Sequence, residues 1–204
     1  MELKILELSS SHAFGAMDTT ETDSYITIID EYEFPETDLS NYNVLMITYF
    51  VDQEFLYKHK KLIEDFLNDG KAVVFCGHLF RPWLPGCSLF MPKKINSYKD
   101  YYVQAVSGAP LFNGVEMEDM VFYEGVAGFF ARGYYYPPEQ AEACLTFTDG
   151  KVISYIDRHT TNGTILVHSG RSLLGFKNAK NTTKKISEQV IDLLQKEVCG
   201  GTCE

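Results

Sequence analysis

The chain has 204 residues, 45% of them hydrophobic and 14% aromatic, with a formal net charge of -10. That length and composition support one buried core and exclude a disordered chain. The charge argues against a nucleic-acid partner, because a polyanion would need a strong local basic patch, and Lys93-Lys94 and the Lys177 to Lys185 segment are too short to supply one.

Leu3 to Leu8 is predicted to be a first strand and Tyr25 to Ile29 a second, joined by a polar loop. Ser9-Ser10-Ser11-His12-Ala13-Phe14-Gly15 in that loop offers backbone amides to a phosphate or serves as a polar loop of no fixed role. Asn43 to Thr48 is a near-continuous apolar run, the pattern of a strand covered on both faces. A helix follows, with Asp52 as its N-cap, Phe55, Leu56, Leu62, Ile63, Phe66 and Leu67 on one face, and Gly70 as its stop. The next strand, Val73 to Phe75, completes a βαβ unit of about thirty residues, whose right-handed crossover makes the sheet parallel here.

After His78 the texture changes. Arg81-Pro82-Trp83-Leu84-Pro85-Gly86 is turn chemistry, Tyr101 to Val106 reads as a strand, and Gly108 to Val115 as a loop. From Val126 a β-meander is expected: 126–136, 143–148, 152–156 and 164–168, with Asp149-Gly150 and Asn162-Gly163 as hairpin signals. A last amphipathic helix carries Ile186, Val190, Leu193, Leu194 and Val198, capped by Asn181 or Thr182. The sum is a single α/β domain over 1–204, flavodoxin-like, with a mostly parallel sheet flanked by helices and an antiparallel β elaboration between about residues 101 and 168.

Ligands of parallel sheets collect outside the carboxyl ends of the strands, and two apolar runs end there in a small-residue turn with a histidine: 72–78 and 164–170. Cys76 is the cysteine in a nucleophile position, with His168 as a base, if the domain is an enzyme. Its alternative is that of a buried, small apolar side chain. Gly77 and His78 are candidate ligand-binding residues, His78 either as a hydrogen-bonding group or as a loop tie. Arg132 and Tyr134 lie in a glycine- and tyrosine-rich segment that suits an anionic or ring-bearing ligand, and equally a subunit interface. Arg158, His159 and Arg171 are expected at the same rim, tilting it positive and favouring a small anion over a metal.

Cysteines at 76, 87, 144, 199 and 203, an odd number at irregular spacing, do not form a secreted disulfide framework. No metal or cofactor is expected. No apolar stretch approaches the roughly 20 residues of a membrane helix, and Met1-Glu2-Leu3-Lys4 does not begin a signal peptide, so a cytoplasmic protein without a membrane partner is expected. Exposed aromatics and an edge-rich meander point to a homo-oligomer.

The order of these elements resembles the class I glutamine amidotransferase-like superfamily, including its ThuA-like and other non-amidotransferase members. The resemblance rests on Asn43 to Thr48, the helix ending Asn68-Asp69-Gly70, the strand into Cys76-Gly77-His78, Pro110-Leu111-Phe112-Asn113-Gly114-Val115, and the strand into His168. It implies Cys76 and His168 as two members of a catalytic triad. Three features depart from the amidotransferase pattern: Val74 stands where the nucleophile elbow has its first glycine, Gly77 follows the cysteine at once, and Gly170 occupies the place of the acid. The sequence therefore points to a non-amidotransferase member that binds, senses or sequesters a small anionic or nucleotide-like ligand. The alternatives are a Cys/His hydrolase and an oligomeric scaffold.

Overall fold

The computed structural model describes residues 2–10, 23–123, 125–128 and 130–200. Its strands in chain order are β1 (Ile5–Ser9), β2 (Ile26–Asp30), β3 (Val44–Ile47), β4 (Ala72–Cys76), β5 (Met91–Pro92), β6 (Val103–Ala105), β7 (Phe122–Tyr123), β8 (Val126–Ala127), β9 (Gly133–Tyr134), β10 (Glu142–Phe147), β11 (Val152–Asp157) and β12 (Thr164–His168). The helices are α1 (Gln53–Lys58), α2 (Lys60–Asn68), α3 (Met117–Val121) and α4 (Lys184–Cys199).

Among the described residues, eight strands form one sheet in the order β2-β1-β3-β4-β12-β11-β10-β6. The first five run parallel, and β11, β10 and β6 extend the sheet antiparallel. This is the flavodoxin-like α/β architecture with an antiparallel part. Strand residues alternate between two buried layers, as a side-chain period of two requires. Leu45, Ile47, Val73, Phe75, Ile165 and Val167 share one core with Leu56, Ile63, Phe66 and Leu67 of α1 and α2. Val44, Met46, Val74, Cys76 and Leu166 share the other with Ile186, Val190, Leu193 and Leu194 of α4. Burial on both faces explains the uninterrupted apolar runs of β3, β4 and β12.

Several local expectations are corrected. The helix expected between Asp52 and Gly70 is two pieces, broken at His59, whose backbone (φ -104, ψ 13) caps one and starts the other. Asp52 does cap the first, accepting from the Phe55 amide at 3.0 Å. The strand expected over 126–136 is instead two short pairings, β7 with β8 and β5 with β9, plus single bridges from Ala131 to Gly170 and from Tyr135 to Val152. Gly128 turns the chain there at φ +98, a conformation that breaks an extended run. The connection from β11 to β12 is longer than a hairpin, and Gly163 is required for packing: a Cβ there would lie 2.0 Å from the Lys71 carbonyl. The N-cap of α4 is Thr183, whose side chain makes no capping bond and instead donates to Asn181. Asn181 and Thr182 are otherwise engaged, Asn181 accepting from the Thr183 amide and Thr182 bridging the Glu116 amide and the Asp119 carboxylate. Most of the serine-rich loop after β1 falls at residues 11–22, outside the described residues. No helix among the described residues is long and apolar enough to cross a membrane.

Candidate functional site

A cavity of about 670 Å³ opens outside the carboxyl ends of β3, β4 and β12. Three segments shape it: 48–51 after β3, 77–80 after β4, and Gly170-Arg171 after β12, with Gly128 and 130–132 reaching it from the meander. Parallel strands place successive loops on one edge, so the position follows from topology.

The loop after β4 is held in place almost atom by atom. The Gly77 amide donates to the His168 carbonyl at 2.9 Å. The buried Tyr135 hydroxyl donates to the Gly77 carbonyl at 2.7 Å and accepts from the Leu79 amide at 2.9 Å. Gln53, the first residue of α1, donates to the His78 carbonyl at 2.7 Å and accepts from the amides of Phe80 and Arg81 at 2.7 and 3.2 Å. Gly77 allows the close approach, since a Cβ there would lie 3.3 Å from the Tyr49 Cα.

His78 is half-buried, its ring stacked on Phe90 at 3.8 Å between centroids. Burial lowers its pKa, and the charge of Arg132 adds to that, while a hydrogen bond with the Ser169 backbone opposes both. The imidazole is accordingly neutral at physiological pH, a hydrogen-bonding group rather than a cation. Arg132 is exposed and fixed at one point, its Nε donating to the Gly128 carbonyl at 2.9 Å. Arg171 lies over the Phe176 ring at 4.6 Å. Among the described residues neither arginine has a carboxylate within ion-pair distance, whereas Arg81 and Arg158 do. The walls are aromatic, with Tyr49, Phe50, Phe75, Phe80 and Phe130. Phe50 takes a positive φ of 74, an uncommon backbone state for a bulky residue and one that marks a locally strained loop.

Gly77, His78, Arg132 and Arg171 are thus brought together. Cys76 and His168 adjoin each other at matched register positions of β4 and β12, on the layer that faces α4. Cys76 is a strand residue, not the exposed apex of a turn. It is fully buried, and burial pushes its thiol up to about 12, with an opposing backbone bond from Leu173. His168 is also fully buried. Desolvation, with a smaller effect from His78, brings its pKa down to about 3. Its Nδ1 lies 2.6 Å from the Ser154 hydroxyl, and its Nε2 has no hydrogen-bond partner among the described residues. A protonated thiol and a neutral imidazole in a dry layer do not form a thiolate–imidazolium pair.

Tyr134 is buried away from the cavity, with its hydroxyl 3.4 Å from that of Tyr136 and the Lys151 ammonium over its ring. The expectation that Arg158 and His159 share the rim is corrected. They follow β11, which runs antiparallel to β12, so the chain delivers them to the opposite end of the sheet. There Arg158 pairs with Glu142 and Glu197, and the His159 amide donates to Asp157. Gln53, Tyr135 and the aromatic walls were not among the sequence candidates. The segment after β3 was accessible to the same strand-end rule that picked out His78; Tyr135 was not, because its partners lie 56 and 58 positions away.

No protein-family model matches the sequence, and no curated protein matches it. Among solved structures, a glutamine amidotransferase from Thermotoga maritima superposes with a TM-score of 0.55 over 97% of this chain and 99% of its own, at 12% identity. The fold is glutamine amidotransferase-like. Two structures of a GH42 β-galactosidase, one a catalytic mutant from G. stearothermophilus, also match, each with a TM-score of 0.45. They are 13% and 11% identical and cover 96% of this chain but 30% of theirs. Cys76 and His168 are neighbours because β4 and β12 pair in parallel, each residue standing at the end of its strand. The cavity is lined by Phe75 and Gly77 on either side of Cys76 in the chain, and by Phe130 and Ala131 from the cluster that buries Cys76, while Cys76 itself does not reach it.

Proposed function

We propose that this amidotransferase-like domain binds a small anionic ligand with a planar ring, of nucleotide-like chemistry, in the cavity outside β3, β4 and β12, and acts by sensing or sequestering it. The observation that carries this reading is the pair of arginines, Arg132 and Arg171, without acidic partners among the described residues, on the wall of an aromatic-lined cavity. A guanidinium gives two parallel hydrogen bonds to a phosphate or carboxylate, and aromatic faces give a flat group its contact area. The neutral His78 adds a hydrogen bond without competing charge. The burial of Cys76 weighs against a hydrolase that uses it.

The test begins with native mass spectrometry of protein purified from its host, followed by denaturation to release any retained molecule. Isothermal titration with a panel of nucleotides and aromatic carboxylates comes next. Loss of one charge-assisted hydrogen bond costs about 1.5–3 kcal/mol, so Arg132→Ala should weaken binding at least tenfold. Cys76→Ser should leave affinity unchanged. Binding that is indifferent to Arg132→Ala, or that disappears in a folded Cys76→Ser protein, overturns the reading.

A further inference from the structure

The cavity has a neighbour. A second hollow of about 520 Å³ is lined on its polar side by Asp119, Asn178, Lys180, Asn181 and Thr183, and it shares two wall residues with the first, Phe130 and Arg171. The common wall is Phe130 and Arg171, and Phe176 backs it from the second hollow. The Phe130 and Phe176 centroids are 6.0 Å apart, and Arg171 covers Phe176. A cation on a shared wall serves anions on either side.

The two hollows differ in what they offer. The first presents aromatic faces, Arg132 and His78. In the second, the one lining carboxylate among the described residues, Asp119, is tied back through Oδ2, which accepts from the Thr182 amide at 3.0 Å and the Thr182 hydroxyl at 2.6 Å; it keeps its charge, so an anion there must lie on the Lys180 side. The Asn181 side-chain carbonyl is likewise taken, by the Thr183 amide and hydroxyl, so what Asn181 can offer a ligand is its amide donors. Lys180 has no acidic partner among the described residues. Cationic and donor groups therefore continue from Arg132 through Arg171 to Lys180, past the limit of the first cavity.

We infer that the ligand is longer than the first cavity: a planar ring with a diphosphate-length anionic tail, the ring between the aromatic walls, the tail crossing Arg171, and its terminal anionic group in the second hollow beside Lys180. This rests on the binding reading above and specifies the ligand's length and charge. Arg171 is the residue that selects for length, because a ligand with one anionic group reaches it from one side only. A diphosphate engages it and still has charge left for Lys180.

The experiment is isothermal titration of the full chain, at fixed ionic strength, with AMP, ADP, UMP, UDP and phenyl phosphate. Diphosphates should bind at least tenfold more tightly than the matching monophosphates. Lys180→Ala should abolish that ratio while leaving monophosphate affinity unchanged, and Arg171→Ala should weaken both classes. Lys180 is exposed, so its replacement leaves folding intact, which thermal melts verify. Lys196→Ala, a change at the far end of α4, controls for net charge and should preserve the ratio. Equal affinity for mono- and diphosphates, or a ratio that survives Lys180→Ala, overturns this inference and leaves the single-cavity reading standing. Failure of all five probes to bind removes both.

Discussion

Acidification should destabilise this protein through one buried imidazole. His168 has a folded pKa of about 3, against an unfolded value near 6.5. Between those values the unfolded chain binds a proton that the folded chain refuses. The stability contributed by neutral His168 is therefore complete above about pH 6.5 and is lost as pH falls toward 3. From pH 7 to pH 5 this one group removes about 2 kcal/mol, since 1.5 units of unprotected titration at 1.36 kcal/mol each lie within that window. For a chain of this length that is a fall in melting temperature of about 4–8 °C. His78, also lowered by burial, adds in the same direction, while Glu7, raised by burial, opposes. Both are common to the wild type and to His168→Asn, which keeps a hydrogen-bonding atom where Nδ1 meets Ser154. The assay is urea unfolding of both proteins at pH 7 and pH 5. The readout is the change with pH, so any fixed cost of the substitution cancels. Equal pH-dependence in the two proteins would refute the argument that His168 is buried neutral.

Two further outcomes follow from the same layer and from the loop above it. With the thiol near 12, less than about one part in ten thousand of Cys76 is thiolate at pH 7.5. Site-resolved mass spectrometry should then find it untouched by iodoacetamide in native protein and labelled in urea, with the half-buried Cys199 as internal comparison; stoichiometric native labelling would contradict its burial. Tyr135→Phe leaves the Gly77 carbonyl and the Leu79 amide without their partner. It should cost about 1–3 kcal/mol for each group left dry, read as a lower urea midpoint, and should weaken ligand binding through the displaced His78 loop. An unchanged midpoint would show that water replaces the hydroxyl.

The order of elements, the parallel centre of the sheet and the antiparallel extension were legible in the amino-acid sequence. Strands buried on both faces leave continuous apolar runs, helices with one buried face leave a 3.6-residue period, and both signals are local. The rule that loops after parallel strands gather at one edge was enough to place Gly77, His78 and Arg171 around one cavity. Sequence could not decide which layer a strand-end side chain enters. Cys76 differs from Phe75 and Gly77 by one position, and in a structure of period two that one position exchanges an open cavity for a closed core. Nor could it decide which end of the sheet Asp157 to Thr160 would reach, because direction is set by the partner strand: β11 pairs antiparallel to β12, and His159 travels with it. The break at Gly128, the Tyr135 tie to the Gly77 loop and the wall shared by Phe130 and Arg171 all depend on contacts between segments far apart in the chain. Such contacts leave no periodicity in either segment, so only tertiary structure brings them into one site.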